Sequence, residues 1–304
     1  MLYQRTLAKK VEVSGLGLHS GKKVSLSLHP AEADFGIRFK RTDIIGSPII
    51  KADACNVGAT ENATTLVYQN VTINTVEHLL AVLYGMGINN AYCEVDGPEI
   101  PIMDGSGASF IYMLKEAGIA GLNRFKKFLV ILDSVRVEFG DRWAQIEPSP
   151  RLVIDSSIEF AHPQIKKQQE VFDYTCENFI AEIGRARTFG MLRDVDMLKR
   201  KGLARGGSLD NAIVLDDYKV INTDGLRFHN EFVKHKILDT LGDMSLLGYD
   251  LAGKITTYKS GHHLNNLLCR KILENKECYK IVPANFLCPE TTNVFGLPWA
   301  VCQI

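Results

Sequence analysis

Apolar and polar residues alternate in several short segments of the chain, a pattern typical of β-strands. In the first half, this alternation predicts strands at residues 4–13, 23–29, 36–40 and 91–95. In the second half, it predicts strands at residues 127–132, 135–139, 144–147 and 152–158. The chain therefore opens each half with a group of strands.

Other segments have the 3.6-residue period of amphipathic helices. They lie at residues 75–84, 107–117, 230–247 and 263–274. In the third of these we expect Asn230 to be the N-cap and Gly248 the stop. Each half then contains strands, a helix with polar groups and a second helix, which is compatible with an internal duplication. The polar and basic segment 121–127 is the expected boundary between a first domain, 1–125, and a second domain, 126–304.

Two of the predicted helices carry reactive side chains beside their apolar stripes. The first presents Glu77 and His78 side by side, and the third presents His235 and Asp239 four positions apart on one face. Two histidines and one carboxylate are the protein ligands of a catalytic zinc with an open fourth position, which leaves Glu77 as a base. The alternative is that these are the solvated faces of two amphipathic helices. The pattern alone leaves both open.

A glycine-rich segment at 14–21, Ser-Gly-Leu-Gly-Leu-His-Ser-Gly, resembles a dinucleotide-binding fingerprint. Its glycine spacing is wrong, and it leads into a predicted strand rather than into the helix that a phosphate cradle needs. We therefore assign the glycines to a tight turn, with His19 either structural or lining a site. The turn-rich segment 96–106 is interpreted as scaffolding. The histidine in Ser260-Gly-His could be oriented by Asp243 to act as a proton donor, although a lone histidine is more often structural.

The overall composition excludes several classes of function. Lys plus Arg and Asp plus Glu both number 35 in the 304 residues, so there is no electrostatic footprint for nucleic acid or an anionic membrane. The N-terminus lacks a secretory core and no apolar run could span a bilayer, so we expect a cytoplasmic protein. The seven cysteines contain no Cys-x-x-Cys pair, which favours reduced thiols over disulfides or a thiolate zinc site.

Seven motifs together resemble a known family. They lie, in order, at residues 14–21, 75–80 (Thr-Val-Glu-His-Leu-Leu), 96–106, 186–190 (Ala-Arg-Thr-Phe-Gly), 206–211 (Gly-Gly-Ser-Leu-Asp-Asn), 235–239 (His-Lys-Ile-Leu-Asp) and 259–262 (Lys-Ser-Gly-His). The set is similar to UDP-3-O-acyl-N-acetylglucosamine deacetylase, the zinc enzyme that commits bacteria to lipid A synthesis. The likeness extends to about residue 270, and nothing in 274–304 resembles a known motif.

This resemblance implies an α+β fold of two related domains, each a β-sheet packed against a helix layer, with the active site between them. It implies one Zn²⁺ held by His78, His235 and Asp239, although Fe²⁺ would suit the same ligands. It also implies that Glu77 is the general base.

Four further catalytic residues follow from the same likeness. It implies that His262 is a second catalytic histidine oriented by Asp243, that Thr188 stabilises the oxyanion, and that Lys236 meets the polar head of the substrate. A βαβ insert near 188–215 would line an apolar passage for the acyl chain. Its candidate residues are Phe189, Met191, Leu192, Val195, Leu198, Leu203, Ala204, Ala212 and Val214, each of which could instead be ordinary helix core.

The nucleotide part of the substrate would meet three residues. Arg142 stands where we expect a lysine in relatives, Phe160 could stack on uracil, and Lys259 could contact a phosphate. The expected reaction is hydrolysis of the N-acetyl group of the acylated UDP-sugar to acetate and the free amine. The expected partner is this small molecule, with no nucleic acid, and a transient contact with the inner membrane stays open. Alternatives are a hydrolase of another acylated substrate and a non-catalytic lipid- or sugar-nucleotide-binding protein.

Overall fold

The structure, a computed structural model, describes residues 2–287. Most of the C-terminal segment 274–304 to which no motif was assigned lies outside the described residues. Two five-stranded mixed sheets and the helices packed on them dominate the fold, which confirms the predicted α+β class.

The strands and helices follow the predicted order, with additional short strands. The first half contains β1 (Tyr3–Leu7), β2 (Val11–Leu16), β3 (Lys23–Pro30), β4 (Ile37–Arg41), β5 (Ile49–Lys51), β6 (Val57–Ala59), β7 (Thr65–Tyr68), β8 (Val71–Ile73), α1 (Glu77–Gly85), β9 (Ala91–Val95) and α2 (Ala108–Ala117). The second half contains β10 (Ile119–Phe125), β11 (Lys127–Ile131), β12 (Val135–Phe139), β13 (Arg142–Glu147), β14 (Val153–Phe160), β15 (Lys166–Asp173), α3 (Cys176–Asn178), β16 (Phe189–Met191), α4 (Leu192–Arg200), β17 (Ile213–Leu215), α5 (Glu231–Ser245), β18 (Asp250–Ala252), β19 (Lys254–Tyr258), α6 (His262–Glu274) and β20 (Tyr279–Pro283). A π-helical segment, Phe179–Ile183, follows α3.

The two large sheets have the same topology. Their strand orders are β2-β3-β9-β4-β5 and β12-β13-β19-β14-β15. In each sheet only one pair of neighbouring strands is parallel, the third and fourth strands in this order. These are β9 with β4 and β19 with β14. The helix α1 lies in sequence between β4 and β9, and α5 lies between β14 and β19. The two halves therefore share one topology, which agrees with the internal duplication that the sequence pattern suggested.

Two local predictions, the strand at 4–13 and the N-cap of α5, differ from the structure. The alternation over residues 4–13 is split at 8–10, because β1 pairs with β10 whereas β2 pairs with β3. The polar segment 121–127, where we expect the domain boundary, supplies most of β10 and the start of β11. Asn230 lies at the N-cap of α5, but its side chain makes no capping bond and donates instead to Glu170 Oε2 at 2.7 Å.

The helices α1 and α5 form the centre of the core. Every residue of α1 except Tyr84 is buried. The leucines Leu79, Leu80 and Leu83 are at most 1% exposed, as are Ile237 and Leu241 of α5. Burial on all sides means that the polar residues of these helices are also withdrawn from water.

Two broader expectations can be compared with the described residues. The five cysteines among them, Cys55, Cys93, Cys176, Cys269 and Cys278, are all free thiols, in agreement with the sequence. No helix within residues 2–287 is long and apolar enough to cross a membrane.

Candidate active site

The crossing of α1 and α5 builds the site. Gly242 of α5 lies against the backbone of Glu77, and a Cβ atom at position 242 would overlap the Glu77 carbonyl group. Only glycine permits this approach, which places the first turn of α1 beside the middle of α5. Side chains more than 150 positions apart therefore meet in one buried cluster.

The predicted metal ligands converge in this cluster. Asp239 Oδ1 lies 3.5 Å from His78 Nε2 and 3.3 Å from His235 Nε2. The two imidazole rings are 4.9 Å apart and nearly perpendicular, at 87°. One ligand atom from each of the three residues lies within 4.8 Å of the others, so the group could hold a metal ion.

The protonation states of the cluster suit metal binding. His235 Nδ1 hydrogen-bonds the Ala186 carbonyl oxygen at 3.0 Å, which requires a proton on Nδ1 and leaves a lone pair on Nε2. Burial lowers the pKa of His235 to about 3, so the imidazole is neutral. Burial alone would raise the pKa of Asp239, but the Lys236 ammonium 2.8 Å away holds it well below its usual value. The cluster thus presents the neutral imidazole of His235 and the carboxylate of Asp239 beside His78.

Two buried atoms of the cluster, His78 Nδ1 and Asp239 Oδ1, have no hydrogen-bond partner among the described residues. Within residues 2–287, Asp239 Oδ1 accepts no hydrogen bond, although the side chain is almost completely buried. A buried carboxylate oxygen without a donor is costly, and a cation bound between it and the two Nε2 atoms would satisfy it. The nitrogen and oxygen donors fit zinc, and they fit ferrous iron as well.

Glu77 lies beside this cluster and is held by the backbone. Its Oε2 accepts a hydrogen bond from the Thr64 amide at 3.0 Å, and its Oε1 lies 4.0 Å from His262 Nε2. Burial raises the pKa of the carboxyl group above its usual value. A buried carboxylate of raised pKa is a stronger base than an exposed one.

His262 and the buried Asp243 form a hydrogen-bonded pair beside Glu77. Asp243 Oδ2 lies 2.9 Å from His262 Nδ1 and accepts a second hydrogen bond from the side-chain Nδ2 of Asn265 at 2.8 Å. Its Oδ1 accepts from the Thr64 hydroxyl at 2.6 Å. Burial lowers the pKa of His262, but the Asp243 carboxylate outweighs this effect and raises it to about 9. The imidazole is therefore protonated at neutral pH.

These positions exclude the alternative of two solvated helix faces. Glu77, His78, His235, Asp239 and Asp243 are between 2% and 4% exposed. Polar residues on an exposed face would be far more accessible, so the polar sector of each helix faces the other helix and not water.

Lys236 also contacts the cluster. Its Nζ donates to Asp239 Oδ2 at 2.8 Å, so the two oxygens of this carboxylate face different partners. Burial lowers the pKa of Lys236, but the carboxylate of Asp239 outweighs it and the pKa is raised. The same ammonium lies 5.7 Å from the centre of the Phe189 ring.

Phe189 is the first residue of the strand β16, and Thr188 precedes it. The Thr188 amide donates to the Gly105 carbonyl at 2.7 Å, which anchors this strand to the loop 96–106. The Phe189 ring lies 6.4 Å from the His235 ring and 5.5 Å from Phe160, at the end of β14. The Phe189 ring therefore contacts both Phe160 and the His235 imidazole.

The predicted insert is present as a parallel strand–helix–strand unit. Strands β16 and β17 pair in parallel, with α4 between them in sequence. No residue of α4 is buried, so ordinary helix core is the wrong description for Leu192, Val195 and Leu198. The remaining candidates, Met191, Leu203, Ala204, Ala212 and Val214, are half-buried.

The glycine-rich turn holds this insert. As predicted, residues 14–21 lead into a strand, β3. Glu99, which is fully buried, accepts hydrogen bonds from the His19 and Ser20 amides at 2.8 and 2.9 Å, and the Gly206 amide donates to the Leu18 carbonyl at 3.0 Å. The loop 96–106 therefore supports the turn, and the turn supports the insert.

His19 was the residue whose role the sequence left open. Its Nδ1 accepts from the Ala204 amide at 3.4 Å, and its buried Nε2 has no hydrogen-bond partner within residues 2–287. Burial lowers the pKa of His19, and the charge on His262 is near enough to lower it further. His19 thus lies between the turn and the insert. Only contacts across the fold reveal this, because the surrounding motif is explained by its glycines.

The three predicted nucleotide contacts lie further out. Arg142 is exposed at the tip of the β12–β13 hairpin. Lys259 follows β19 and its Nζ lies 3.0 Å from Asp141 and 3.1 Å from Glu159. Tyr258 pairs with both Trp143 and Ser157, so this ionic cluster lies at the end of the second large sheet where α6 begins.

A buried group of two histidines and one aspartate, with a further carboxylate beside it, is the type of site found in metal-dependent hydrolases. Residues 4–274 match the family described as UDP-3-O-acyl N-acetylglycosamine deacetylase. Among proteins named UDP-3-O-acyl-N-acetylglucosamine deacetylase, that of Photobacterium profundum is 49% identical over 304 residues and covers 99% of both chains. That of Pasteurella multocida is 50% identical over 285 residues and covers 93% of both chains. The chain belongs to the UDP-3-O-acyl N-acetylglycosamine deacetylase family.

Proposed function

We propose that this protein hydrolyses the N-acetyl group of UDP-3-O-(3-hydroxyacyl)-N-acetylglucosamine, giving acetate and the free amine. This is the committed step of lipid A synthesis and fits the cytoplasmic location expected from the sequence. Family membership and the names of the relatives support the substrate. The observation that carries the chemistry is the convergence of His78, His235 and Asp239 beside the buried Glu77.

The proposed cofactor is one zinc ion held by His78, His235 and Asp239. Bound there, zinc would supply a positive charge that acidifies water and polarises the acetamide carbonyl. Lys236, on the second oxygen of Asp239, fixes the orientation of this carboxylate. It also adds positive charge on the side from which the anionic head of the substrate would approach.

Glu77 acts as the general base in this proposal. Its Oε2 is held by the Thr64 amide, which leaves Oε1 to take the proton of the attacking water. The raised pKa of the buried carboxyl group makes it a better acceptor for this proton.

His262 acts as the general acid. Its Nδ1 is bound to Asp243, so Nε2 is the nitrogen that faces Glu77 and the reacting groups. With its pKa raised to about 9, it carries a proton at neutral pH that the leaving amine can accept. The Thr188 hydroxyl is the proposed donor to the oxyanion that forms at the former carbonyl.

The insert and the three predicted nucleotide contacts bind the rest of the substrate. Half-buried apolar residues of the insert, such as Met191, Leu198 and Ala204, with Phe189 at its base, are the proposed wall for the acyl chain. Each CH₂ group buried there contributes about 0.8 kcal/mol. Phe160, Arg142 and Lys259 are the proposed contacts of the nucleotide. A transient contact with the inner membrane would give access to the acylated substrate.

The test is acetate release from two UDP-sugars. The purified protein should release acetate from the 3-O-acylated substrate, lose this activity on treatment with a chelator, and regain it with zinc. UDP-N-acetylglucosamine without the acyl chain should be hydrolysed at a kcat/KM at least about 100-fold lower, because the apolar wall then has nothing to bind. Equal rates would favour a hydrolase of another substrate, and no acetate from either would favour a non-catalytic binding protein.

A further inference from the structure

The ammonium group of Lys259 is held between two carboxylates. Its Nζ lies 3.0 Å from Asp141 Oδ2 and 3.1 Å from Glu159 Oε2. Lys259 has a left-handed backbone, with φ of 51°, and its amide donates to the Ser157 carbonyl at 2.8 Å. The backbone is thus fixed, and the ionic partners decide where the ammonium points.

This ionic cluster touches the elements that carry the proposed chemistry. Lys259 is three residues before His262, the first residue of α6. The hairpin tip that carries Asp141 also packs on α6, since the Phe139 ring lies 5.7 Å from the ring of His263. A ligand bound to Lys259 would therefore lie close to the start of α6, which carries His262.

The two carboxylates are not equally free to leave. Glu159 Oε2 accepts a second hydrogen bond, from the Tyr258 hydroxyl at 2.6 Å. Asp141 lies on the two-residue turn between β12 and β13 with 69% of its side chain exposed, compared with 46% for Glu159. Asp141 can rotate into water at little cost, because exposed ion pairs contribute little free energy. It is the partner that an incoming anion would replace.

We propose that Asp141 is a displaceable counter-ion of Lys259, which it releases to the diphosphate of the substrate. This inference rests on the proposed function, since it assumes a nucleoside diphosphate as the ligand. A diphosphate approaching Lys259 must first displace Asp141 and is also repelled by it. Asp141 therefore lowers the affinity of the site for the nucleotide. It is a positioning residue that acts through Lys259, and it makes the nucleotide dissociate more readily.

The chain offers a matched control on the same hairpin. Glu138 is also an exposed carboxylate, with 60% of its side chain accessible, but it pairs with Arg136 and not with Lys259. Glu138→Gln and Asp141→Asn therefore remove the same charge from the same hairpin. Any difference between them reports the local contact with Lys259.

The experiment measures the Kd of UDP by calorimetry in the intact protein at low and high salt. We expect Asp141→Asn to tighten UDP binding roughly two- to fivefold at low salt and less at high salt, since screening weakens both the ion pair and the repulsion. Glu138→Gln should bind UDP like the wild type. In steady-state assays of the acylated substrate, the effect of Asp141→Asn should be larger on KM than on kcat.

A double-mutant cycle separates this contact from a general effect on the hairpin. In a Lys259→Gln background, Asp141→Asn should no longer tighten UDP binding, because the ammonium that Asp141 holds is absent. Equal Kd values for Asp141→Asn and Glu138→Gln, or an effect that persists without Lys259, would overturn the inference. A wild-type protein that neither binds UDP nor releases acetate would instead overturn the proposed function.

Discussion

A Cβ atom added at Gly242 would lie 3.1 Å from the Cα of Glu77 and closer still to its carbonyl group. This contact sets the separation of α1 from α5. It consequently sets the separation of His78 on one helix from His235 and Asp239 on the other, which is what the proposed zinc site depends on.

We expect Gly242→Ala to push the two helices apart. Overpacking at such a contact costs about 1–3 kcal/mol of the free energy of unfolding, and the metal ligands would separate with the helices. Thermal unfolding and zinc content after dialysis measure the two effects. Gly121→Ala is the matched control, because nothing lies within 4 Å of a Cβ at that position. If both variants retain wild-type stability and zinc, the close crossing is not what assembles the site.

Replacing Glu77 with glutamine should remove the base without removing the metal. The glutamine can still accept the hydrogen bond from the Thr64 amide, so the local structure is retained. We expect kcat for acetate release to fall by about 10²–10⁴-fold with a full equivalent of zinc still bound. Glu94→Gln, on the outer face of the first large sheet beside His29, serves as the control. Substantial turnover in Glu77→Gln would assign the base to another group.

Replacing His235 with alanine should remove the metal itself. The imidazole supplies one of three protein ligands, and its loss leaves His78 and Asp239 too few to retain zinc through dialysis. Elemental analysis of the purified variant measures this directly. His29→Ala removes a histidine outside the cluster and should bind zinc like the wild type. A stoichiometric zinc content in His235→Ala would show that the ligands lie elsewhere.

The proposed acid predicts a specific pH dependence. The Asp243 carboxylate raises the pKa of His262 to about 9, so the imidazolium is present at neutral pH and is lost as the pH rises through this value. Asp243→Asn removes the charge, and the alkaline fall of kcat/KM should move to lower pH by about one unit or more. A bound cation would lower the pKa of His262 in both proteins, so the shift between them is the quantity to measure. An alkaline limb that does not move would remove His262 from the role of acid.

The sequence predicts the two central helices well because each has a continuous apolar stripe. Leu79, Leu83, Ile237 and Leu241 recur at helical spacing, and the helices they predict match α1 and α5 within two residues at each end. The burial of the polar faces could not be predicted from periodicity. It depends on the partner helix, and the signal for that partner is a single glycine, Gly242.

The seven-residue strand β10 was missed for a different physical reason. The strand β10 has no fully buried residue, so its sequence shows little of the alternation that marks a half-buried strand. It is stable because β1, more than 110 positions earlier in the chain, pairs with it. Likewise, the position of His19 follows from the contact of its turn with Ala204 in the insert, which no local pattern encodes.

The repeated sheet topology has a consequence for how the two halves hold together. The helix α1 belongs to one repeat and α5 to the other, so both repeats would contribute ligands to a single ion. Neither repeat alone contains the complete set of ligands. Chelation would then fasten one repeat to the other, and stripping the ion would loosen their junction before it unfolds either sheet.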